Sequence, residues 1–314
     1  MLLSLGASET LRRVCIDGSA RLASPTRTNR DRYRGDMDET EGARSFRVGA
    51  DTYDRLMGRY SRLLAGQLAE AAGITAGQRA LDIGCGPGAL TAELVRRLGP
   101  DGVVAVDPSP PFVEECRRRH PGVEVLVGRA EALPFDDRSF DAALSQLVLH
   151  FVTDPAAAAS EMRRVLAEGG IATAAVWDFT GGMRLLRAFW DAARAVDPAA
   201  PAESSNTRFG RDGEIADLFV AAGFGDVRSG AIEVAAHYDD FDDLWAGFTG
   251  GAGPAGSYCV ALTDDQRDAV RRGLAERIGR PEGSFSLPAR AWYAVGRTET
   301  GRTSEGATRG RALR

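Results

Sequence analysis

A glycine-rich turn between a short buried strand and a helix is the feature that most restricts the fold of this chain. Residues 78–81 read as a short buried strand, and leucines recur every fourth residue from Leu90 to Leu98, which is typical of one helix face. The turn between them contains three glycines, Gly84, Gly86 and Gly88. Glycines permit positive φ angles and close approach of a ligand, and the following helix presents free N–H groups. Open α/β sheets bind their ligands at such turns.

The spacing of the glycines separates this turn from the fingerprint of dinucleotide-binding proteins. Here the pattern is G-x-G-x-G rather than G-x-G-x-x-G, and Asp82 precedes it by two residues. A carboxylate facing the turn would repel a pyrophosphate and would suit a ligand that carries a positive group. The turn therefore favours a cationic ligand over a dinucleotide.

Further strands follow in regular alternation with helices. Strands are predicted at residues 103–107, 123–127, 140–146 and 171–177. Between the last two, Asp154 and Pro155 predict a helix start, and Gly169-Gly170 predicts its end. Five strand–helix units in succession predict an α/β fold whose parallel sheet is covered on both faces.

The order and spacing of these motifs resemble the class I S-adenosylmethionine (SAM)-dependent methyltransferases. Residues 50–296 are similar to the type-11 group, which resembles the ubiquinone/menaquinone C-methyltransferases. The resemblance implies a Rossmann-like, seven-stranded, mostly parallel sheet with helices on both faces. It also implies an antiparallel C-terminal edge hairpin, formed here by the strand-like residues 224–237 and 284–296. An enzyme of this kind uses SAM as its methyl donor.

The resemblance also implies a set of SAM-binding residues. The glycine motif contributes Asp82, Gly84, Cys85, Gly86 and Gly88. The adenine would lie near Pro108, the backbone of Ala130 and the side chain of Glu131, and the methionine part near Ser145, Gln146 and Leu147. Ala130 departs from the family, since many relatives have a polar side chain at that position or at Arg129. An N-terminal helix would cover the cofactor, with Tyr53, Arg59 and Ser61 as candidate contacts.

Asp107 is the residue for which sequence position alone makes the strongest argument. It ends a buried strand 19 residues after Gly88, where a carboxylate can accept both ribose hydroxyls. The competing interpretation is an N-cap aspartate ahead of Pro108-Ser109.

His150 is the candidate catalytic residue. It follows the fourth strand, and imidazole titrates near neutral pH, as a general base must. Its alternative is a structural histidine that hydrogen-bonds a nearby carbonyl. The chain contains no lysine, so a lysine base or Schiff base is excluded. Trp190, Trp245 and Tyr258 are candidates for a substrate wall or for ordinary core, beside a predicted glycine-rich linker at residues 250–256.

Composition and the chain ends limit the remaining possibilities. A net charge of −5 argues against nucleic acid as the main partner. Four cysteines without a C-x-x-C pair indicate no metal site and a reducing cytoplasmic location. No apolar stretch reaches the ~20 residues of a membrane span. Residues 1–36 and 297–314 are basic and aperiodic, which predicts disordered tails with no function or, alternatively, interaction arms.

The predicted domain organisation places one methyltransferase domain at residues 37–296. Met37 is the expected true start, and substrate-cover insertions are expected near residues 181–210 and 239–280. The expected function is methyl transfer from SAM to a small, partly apolar molecule at oxygen, nitrogen or carbon, with the oligomeric state undetermined. The alternatives are an NAD(P)-dependent oxidoreductase and a non-catalytic SAM-binding regulator.

Overall fold

The structure is a computed structural model that describes residues 50–201 and 208–300. Its helices are α1 (Ala50–Tyr53), α2 (Arg59–Ala71), α3 (Ala89–Leu98), α4 (Pro110–Arg119), α5 (Pro155–Val165), α6 (Arg184–Val196), α7 (Glu214–Ala221), α8 (Phe241–Thr249), α9 (Gly253–Ala261) and α10 (Asp264–Arg277). Its strands are β1 (Ala80–Ile83), β2 (Val103–Asp107), β3 (Glu124–Val127), β4 (Phe140–Gln146), β5 (Leu166–Trp177), β6 (Gly225–Tyr238) and β7 (Phe285–Arg297). A π-helical turn (Asp54–Gly58) joins α1 to α2, and 3₁₀ turns occupy Pro100–Gly102 and Leu149–Phe151.

The strands form one seven-stranded sheet with the order β3-β2-β1-β4-β5-β7-β6. The first five strands are parallel to their neighbours, whereas β7 runs antiparallel to both β5 and β6. The predicted fold class, including the antiparallel C-terminal hairpin, is therefore confirmed.

Both faces of the central strands are buried, which explains why their sequences are continuously apolar. Alternate residues of β1 and β2 enter two different cores: Leu81 and Val104 join one, while Ala80 and Val103 join the other. This period of two is what a pleated strand imposes. The helices that cover the two faces leave the carboxyl edge of the sheet for loops.

The edge strand β6 is covered by α2 through side-chain bonds to main-chain groups. The Gln67 amide donates to the carbonyl of Glu233 at 3.2 Å, and the Arg228 guanidinium donates to the carbonyl of Ala71 at 2.8 Å. The first contact occupies a main-chain carbonyl of the edge strand, and the second joins an edge-strand side chain to the last turn of α2, so both help to cover the edge. They also fix α2, which continues from the segment above the carboxyl edge.

Two local predictions are wrong. The helix predicted to run to Gly169-Gly170 ends at Val165, because β5 begins at Leu166 and pairs with Phe140 across an irregular register. The predicted linker at residues 250–256 is helical from Gly253, because Pro254 lies in the first turn of α9, where its missing N–H costs nothing.

Several predictions about the chain ends fall outside the described residues. These are the disorder of residues 1–36, the start at Met37 and most of the C-terminal tail. The first residues of that tail continue the fold, since Arg297 ends β7 and the Thr298 N–H donates to the Gly170 carbonyl at 3.0 Å. Within the described ranges, no helix combines the length and apolarity needed to cross a membrane.

Candidate functional site

A cavity of about 400 Å³ opens at the carboxyl edge of the sheet. It is lined by residues that follow β1, β2, β3, β4 and β5 and by the N-terminal helical segment. Most residues predicted for the site lie on its wall: Tyr53, Gly84, Gly86, Asp107, Pro108, Ala130, Glu131, Gln146, Leu147 and His150. The topology therefore brings together segments that are separated by up to about two hundred residues of sequence.

The three glycines of the turn all have positive φ angles, of 74°, 54° and 97° for Gly84, Gly86 and Gly88. A Cβ atom on Gly86 would meet nothing within 4 Å, so this glycine faces open space in the cavity. A Cβ on Gly84 would lie 2.3 Å from Cγ2 of Val148. On Gly88 it would lie 2.5 Å from Nε2 of His120, behind the cavity wall. Only Gly86 is thus left clear for a ligand, while the other two allow close packing.

Replacing these glycines with alanine should therefore cost unequal stability. Gly86→Ala is expected to cost about 1 kcal/mol, the penalty of a left-handed alanine. Gly84→Ala is expected to cost about 2 kcal/mol, because its methyl group must also displace Val148. Urea unfolding of both variants measures the difference, and equal losses would contradict the proposed contact with Val148.

Asp107 lies on the cavity wall, and its carboxylate accepts main-chain hydrogen bonds from two segments of the chain. Its Oδ2 accepts from the N–H of Gly86 and its Oδ1 accepts from the N–H of Ser109, each at 2.8 Å. Burial raises the pKa of Asp107 to about 6, although these two hydrogen bonds act in the opposite direction. The N-cap position of α4 is occupied by Ser109 rather than by Asp107. Asp107 thus braces both the glycine turn and the entry to α4 while one face of its carboxylate reaches the cavity.

Four of the predicted contacts lie behind the wall rather than on it: Asp82, Cys85, Gly88 and Ser145. The side chain of Asp82 points to the first turn of α3, where its Oδ2 accepts from the Thr91 hydroxyl at 2.6 Å. Its Oδ1 has no partner among the described residues. Burial, together with the nearby charge of Asp107, raises the pKa of Asp82 to about 7, although the hydrogen bonds to Thr91 act in the opposite direction. In this arrangement Asp82 acts on the cavity through the turn that it supports.

At the end of β4 the chain turns sharply into the cavity. Leu147 has a φ angle of 63°, which is uncommon for a residue with a side chain and is often found at functional sites. The Gln146 amide nitrogen donates to the Ser61 carbonyl at 3.0 Å, whereas its Oε1 is buried without a partner among the described residues. An unpaired buried acceptor here is free to bind a donor from a ligand.

His150 lies on the 3₁₀ turn that follows β4, between the rings of Phe151 and Phe179 at centroid distances of 3.9 and 5.4 Å. Burial lowers its pKa to about 3, helped by the charge of Arg208. The imidazole is therefore neutral at physiological pH, and its shielded Nδ1 has no partner among the described residues. Such a group can hydrogen-bond a ligand but is a weak base, and proton abstraction by His150 stays a prediction.

The N-terminal helical segment covers the cavity. Tyr53 lines it, and its hydroxyl lies 3.3 Å from the Ser61 hydroxyl, which itself faces away from the cavity. Arg59, predicted as a possible contact, instead forms an ion pair with Asp243 at the start of α8. A second ion pair joins Arg119 and Asp54 at 2.6 Å. The cover is thus held to α8 on one side and to α4 on the other.

An apolar part of the wall was not identified from the sequence, apart from Trp190. It comprises Trp177 and Phe179 after β5, Leu186 on α6, and residues 252–255 at the start of α9. Of the other two predicted aromatics, Tyr258 packs against Trp190 at a centroid distance of 5.3 Å and Trp245 packs against Phe248 at 6.0 Å. The apolar residues directly after the fifth strand were the one signal that could have identified part of this wall.

The wall also contains Arg129, whose guanidinium lies 3.5 Å from the Glu131 carboxylate. Across residues 50–201 and 208–300, no group of three or more histidine, cysteine, aspartate and glutamate side chains is placed to hold a metal ion.

The central segment of the chain is similar to known methyltransferases. Residues 81–174 match the model of a family described as "Methyltransferase domain". An uncharacterized methyltransferase of Mycobacterium tuberculosis is 48% identical over 95 residues, which is 30% of this chain and 38% of that protein. The demethylmenaquinone methyltransferase of Renibacterium salmoninarum is 39% identical over 112 residues, 36% of this chain and 45% of its own. The chain therefore spans less than half the length of either curated relative.

A solved structure from Anabaena variabilis, described as a methyltransferase from an antibiotic biosynthesis pathway, has a similar fold. Its TM-score is 0.52 at 20% sequence identity, and the alignment covers 74% of this chain and 96% of that one. At this level of identity the similarity extends to the fold alone.

Proposed function

We propose that this protein is a class I SAM-dependent methyltransferase of the type-11 group that transfers a methyl group from SAM to a small-molecule acceptor; the match of residues 81–174 to a methyltransferase-domain family supports this. The observation that carries the proposal is that Asp107 and the glycine turn share one cavity with the ends of β4 and β5. A donor held at the first two strands would present its reactive end toward the acceptor side of the same cavity.

The residues present fit SAM. Gly86 leaves room in front of the turn, and Asp107 offers a carboxylate at the end of β2, where it would accept the ribose hydroxyls. Pro108, Ala130 and Glu131 would surround the adenine. The unpaired Oε1 of Gln146 would accept a hydrogen bond from the amino group of the methionine part.

When bound, SAM supplies a methyl group that its sulfonium already makes electrophilic. The protein must align the acceptor with that group and keep water away, and alignment alone can contribute up to about 7–11 kcal/mol. Leu147, His150 and the aromatic wall occupy the side of the cavity where the acceptor would lie. A strong side-chain base is needed only for an acceptor of high pKa, so the low basicity of His150 is compatible with transfer.

Incubating the protein with SAM labelled in its methyl group and with a metabolite extract tests this function. Label in a low-molecular-weight product would support the proposal, and label in nucleic acid or protein would contradict the acceptor class. Calorimetric titration with SAM and with NADH distinguishes the alternatives. NADH binding without SAM binding would indicate an oxidoreductase, and SAM binding with no transfer to any extract would indicate a regulator. Location in the cytoplasm is part of the same proposal.

SAM affinity is expected to fall as the pH drops below about 6. The pKa of Asp107 is raised to about 6, so the carboxylate that would accept the ribose hydroxyls becomes protonated in this range. Of the other titratable groups around the cavity, Asp82 has a pKa raised to about 7, Tyr53 a pKa raised to about 12 and His150 a pKa lowered to about 3, and Glu131 also lies on the wall. Calorimetry from pH 5 to 8 measures the effect. Asp107→Asn should flatten the profile, and an equally steep profile in that variant would assign the dependence to Asp82.

A further inference from the structure

The polarity of the cavity changes along the sheet. The charged side chains on its wall, Asp107, Arg129 and Glu131, all follow β2 or β3. At the other end, β5 ends in Trp177 and is followed by Asp178 and Phe179; of these, Trp177 and Phe179 line the cavity, and both are apolar. Three strand intervals separate β2 from β5 in the sheet order, which at ~4.8 Å each amounts to about 14 Å. The charged end and the apolar end are therefore too far apart for one small group to reach both.

The apolar end is enclosed by three different elements. Trp190 from α6 is only 7% exposed, and Leu186 lies on the same helix. Residues 252–255 close the wall from the α8–α9 junction. That junction fits tightly over the N-terminal segment, since a Cβ on Gly250 would lie 2.3 Å from Cγ2 of Thr52. No side chain that the structure describes on this part of the wall carries a charge.

Asp178, which lies between Trp177 and Phe179 in the sequence, is not on the wall and is held in an ion pair with Arg290. A second cation outside the wall is Arg208. It is exposed to solvent, and its guanidinium donates to the carbonyl of Val152. It thus does not line the cavity, and a carboxylate or phosphate inside the apolar end would have no cation on the wall to pair with. A buried charge without a partner is strongly unfavourable.

Between the charged end and the apolar end lies one polar atom that is not assigned to SAM and has no partner among the described residues. Nδ1 of His150 is shielded from solvent and makes no hydrogen bond among the described residues. His150 follows β4, between the charged end and the apolar end. Because buried polar atoms are nearly always hydrogen-bonded, this nitrogen is the natural partner for a polar group of the molecule that fills the apolar end.

We propose that the methyl acceptor is an uncharged molecule with a flat or cyclic apolar body, which packs against Trp190 and Phe179 and presents one hydrogen-bonding group to His150. Aromatic walls favour such bodies because they bury large areas and stack with defined geometry. Acceptors that carry a carboxylate, phosphate or ammonium group on this body are excluded by the same wall. The inference rests on the proposed function, since it assigns the other half of the cavity to SAM.

Four probes with the same naphthalene body test the proposal: 2-naphthol, naphthalene, 2-naphthoate and 2-(aminomethyl)naphthalene. Their affinities are measured by calorimetry with the protein saturated in S-adenosylhomocysteine. We expect 2-naphthol to bind at least about tenfold more tightly than either charged probe, which corresponds to about 1.4 kcal/mol. It should also bind more tightly than naphthalene, and His150→Ala should remove that second advantage.

Trp190→Leu and Trp245→Leu form a matched pair of variants. Both remove an indole ring, but only Trp190 lies on the cavity wall. The first should weaken 2-naphthol binding several-fold more than the second, with S-adenosylhomocysteine affinity kept in both. If Trp190→Leu fails to fold, the ranking of the four probes on the wild-type protein still decides.

The outcomes separate this inference from the proposed function. Tight binding of a charged probe, or no binding of any probe by protein that binds S-adenosylhomocysteine, would overturn the acceptor class alone. Failure to bind SAM or S-adenosylhomocysteine would overturn the proposed function itself.

Discussion

Asp107→Ala is expected to weaken SAM binding about 10- to 150-fold, or about 1.5–3 kcal/mol, the range for hydrogen bonds to a charged group. The carboxylate would lose both ribose contacts at once. It would also lose its bonds to the N–H groups of Gly86 and Ser109, each 2.8 Å long. The glycine turn would then be less well fixed, which adds to the loss. Calorimetric titration with SAM at pH 7.5 measures the change.

Two variants control this result. Asp101→Ala removes the same charge at the other end of β2, where Asp101 is exposed in a 3₁₀ turn, and should leave SAM affinity unchanged. Asp107→Asn keeps the size and one acceptor oxygen, and should fall between the wild type and Asp107→Ala. If Asp107→Ala bound SAM as tightly as the wild type, Asp107 would only brace the turn into α4.

Arg290→Met is expected to lower the free energy of unfolding by about 3 kcal/mol, since it leaves a buried carboxylate without its cation. Asp178 is fully buried, and its Oδ2 accepts from Nε and Nη2 of Arg290 at 2.8 and 2.6 Å. Its Oδ1 accepts from the Thr180 N–H at 2.8 Å. These bonds hold the loop that carries Phe179 onto the cavity wall, so this variant should also loosen the apolar end. Urea unfolding measures the loss.

The pH dependence of the lost stability distinguishes an unpaired carboxylate from lost packing. The pKa of Asp178 is lowered in the folded protein, against the effect of burial, by its hydrogen bonds to Thr180 and Arg290. Its contribution to stability is therefore present above the unfolded pKa of about 4 and is lost as the pH falls. In Arg290→Met burial raises that pKa, so the deficit should be largest near pH 7 and should shrink in acid. Asp178→Asn/Arg290→Met should recover part of the stability. A deficit independent of pH would point to lost packing instead.

The sequence alone determined the order of the strands and helices and two residues of the cavity near its charged end. Strands β1 to β4 lie within one or two residues of their predicted ranges, because a buried parallel strand requires a continuous apolar run and its helix an apolar face. Gly86 and Asp107 could be identified because each lies at or just after the carboxyl end of a strand, at the edge where the ligand would bind. These are local signals, encoded in a few adjacent residues.

Only the tertiary structure decided which side chains from distant segments contact each other across the sheet. It turned Asp82 toward Thr91, paired Asp178 with Arg290 from a strand 112 residues further along the chain, and brought residues 252–255 against the cavity. It also left Nδ1 of His150 without a hydrogen-bond partner in the part of the chain that the structure describes. None of these contacts has a local signal, because the energy of a side chain in the apolar wall depends on neighbours from distant segments. Those neighbours are set by the strand order and by the packing of α6, α8 and α9, which periodicity does not encode.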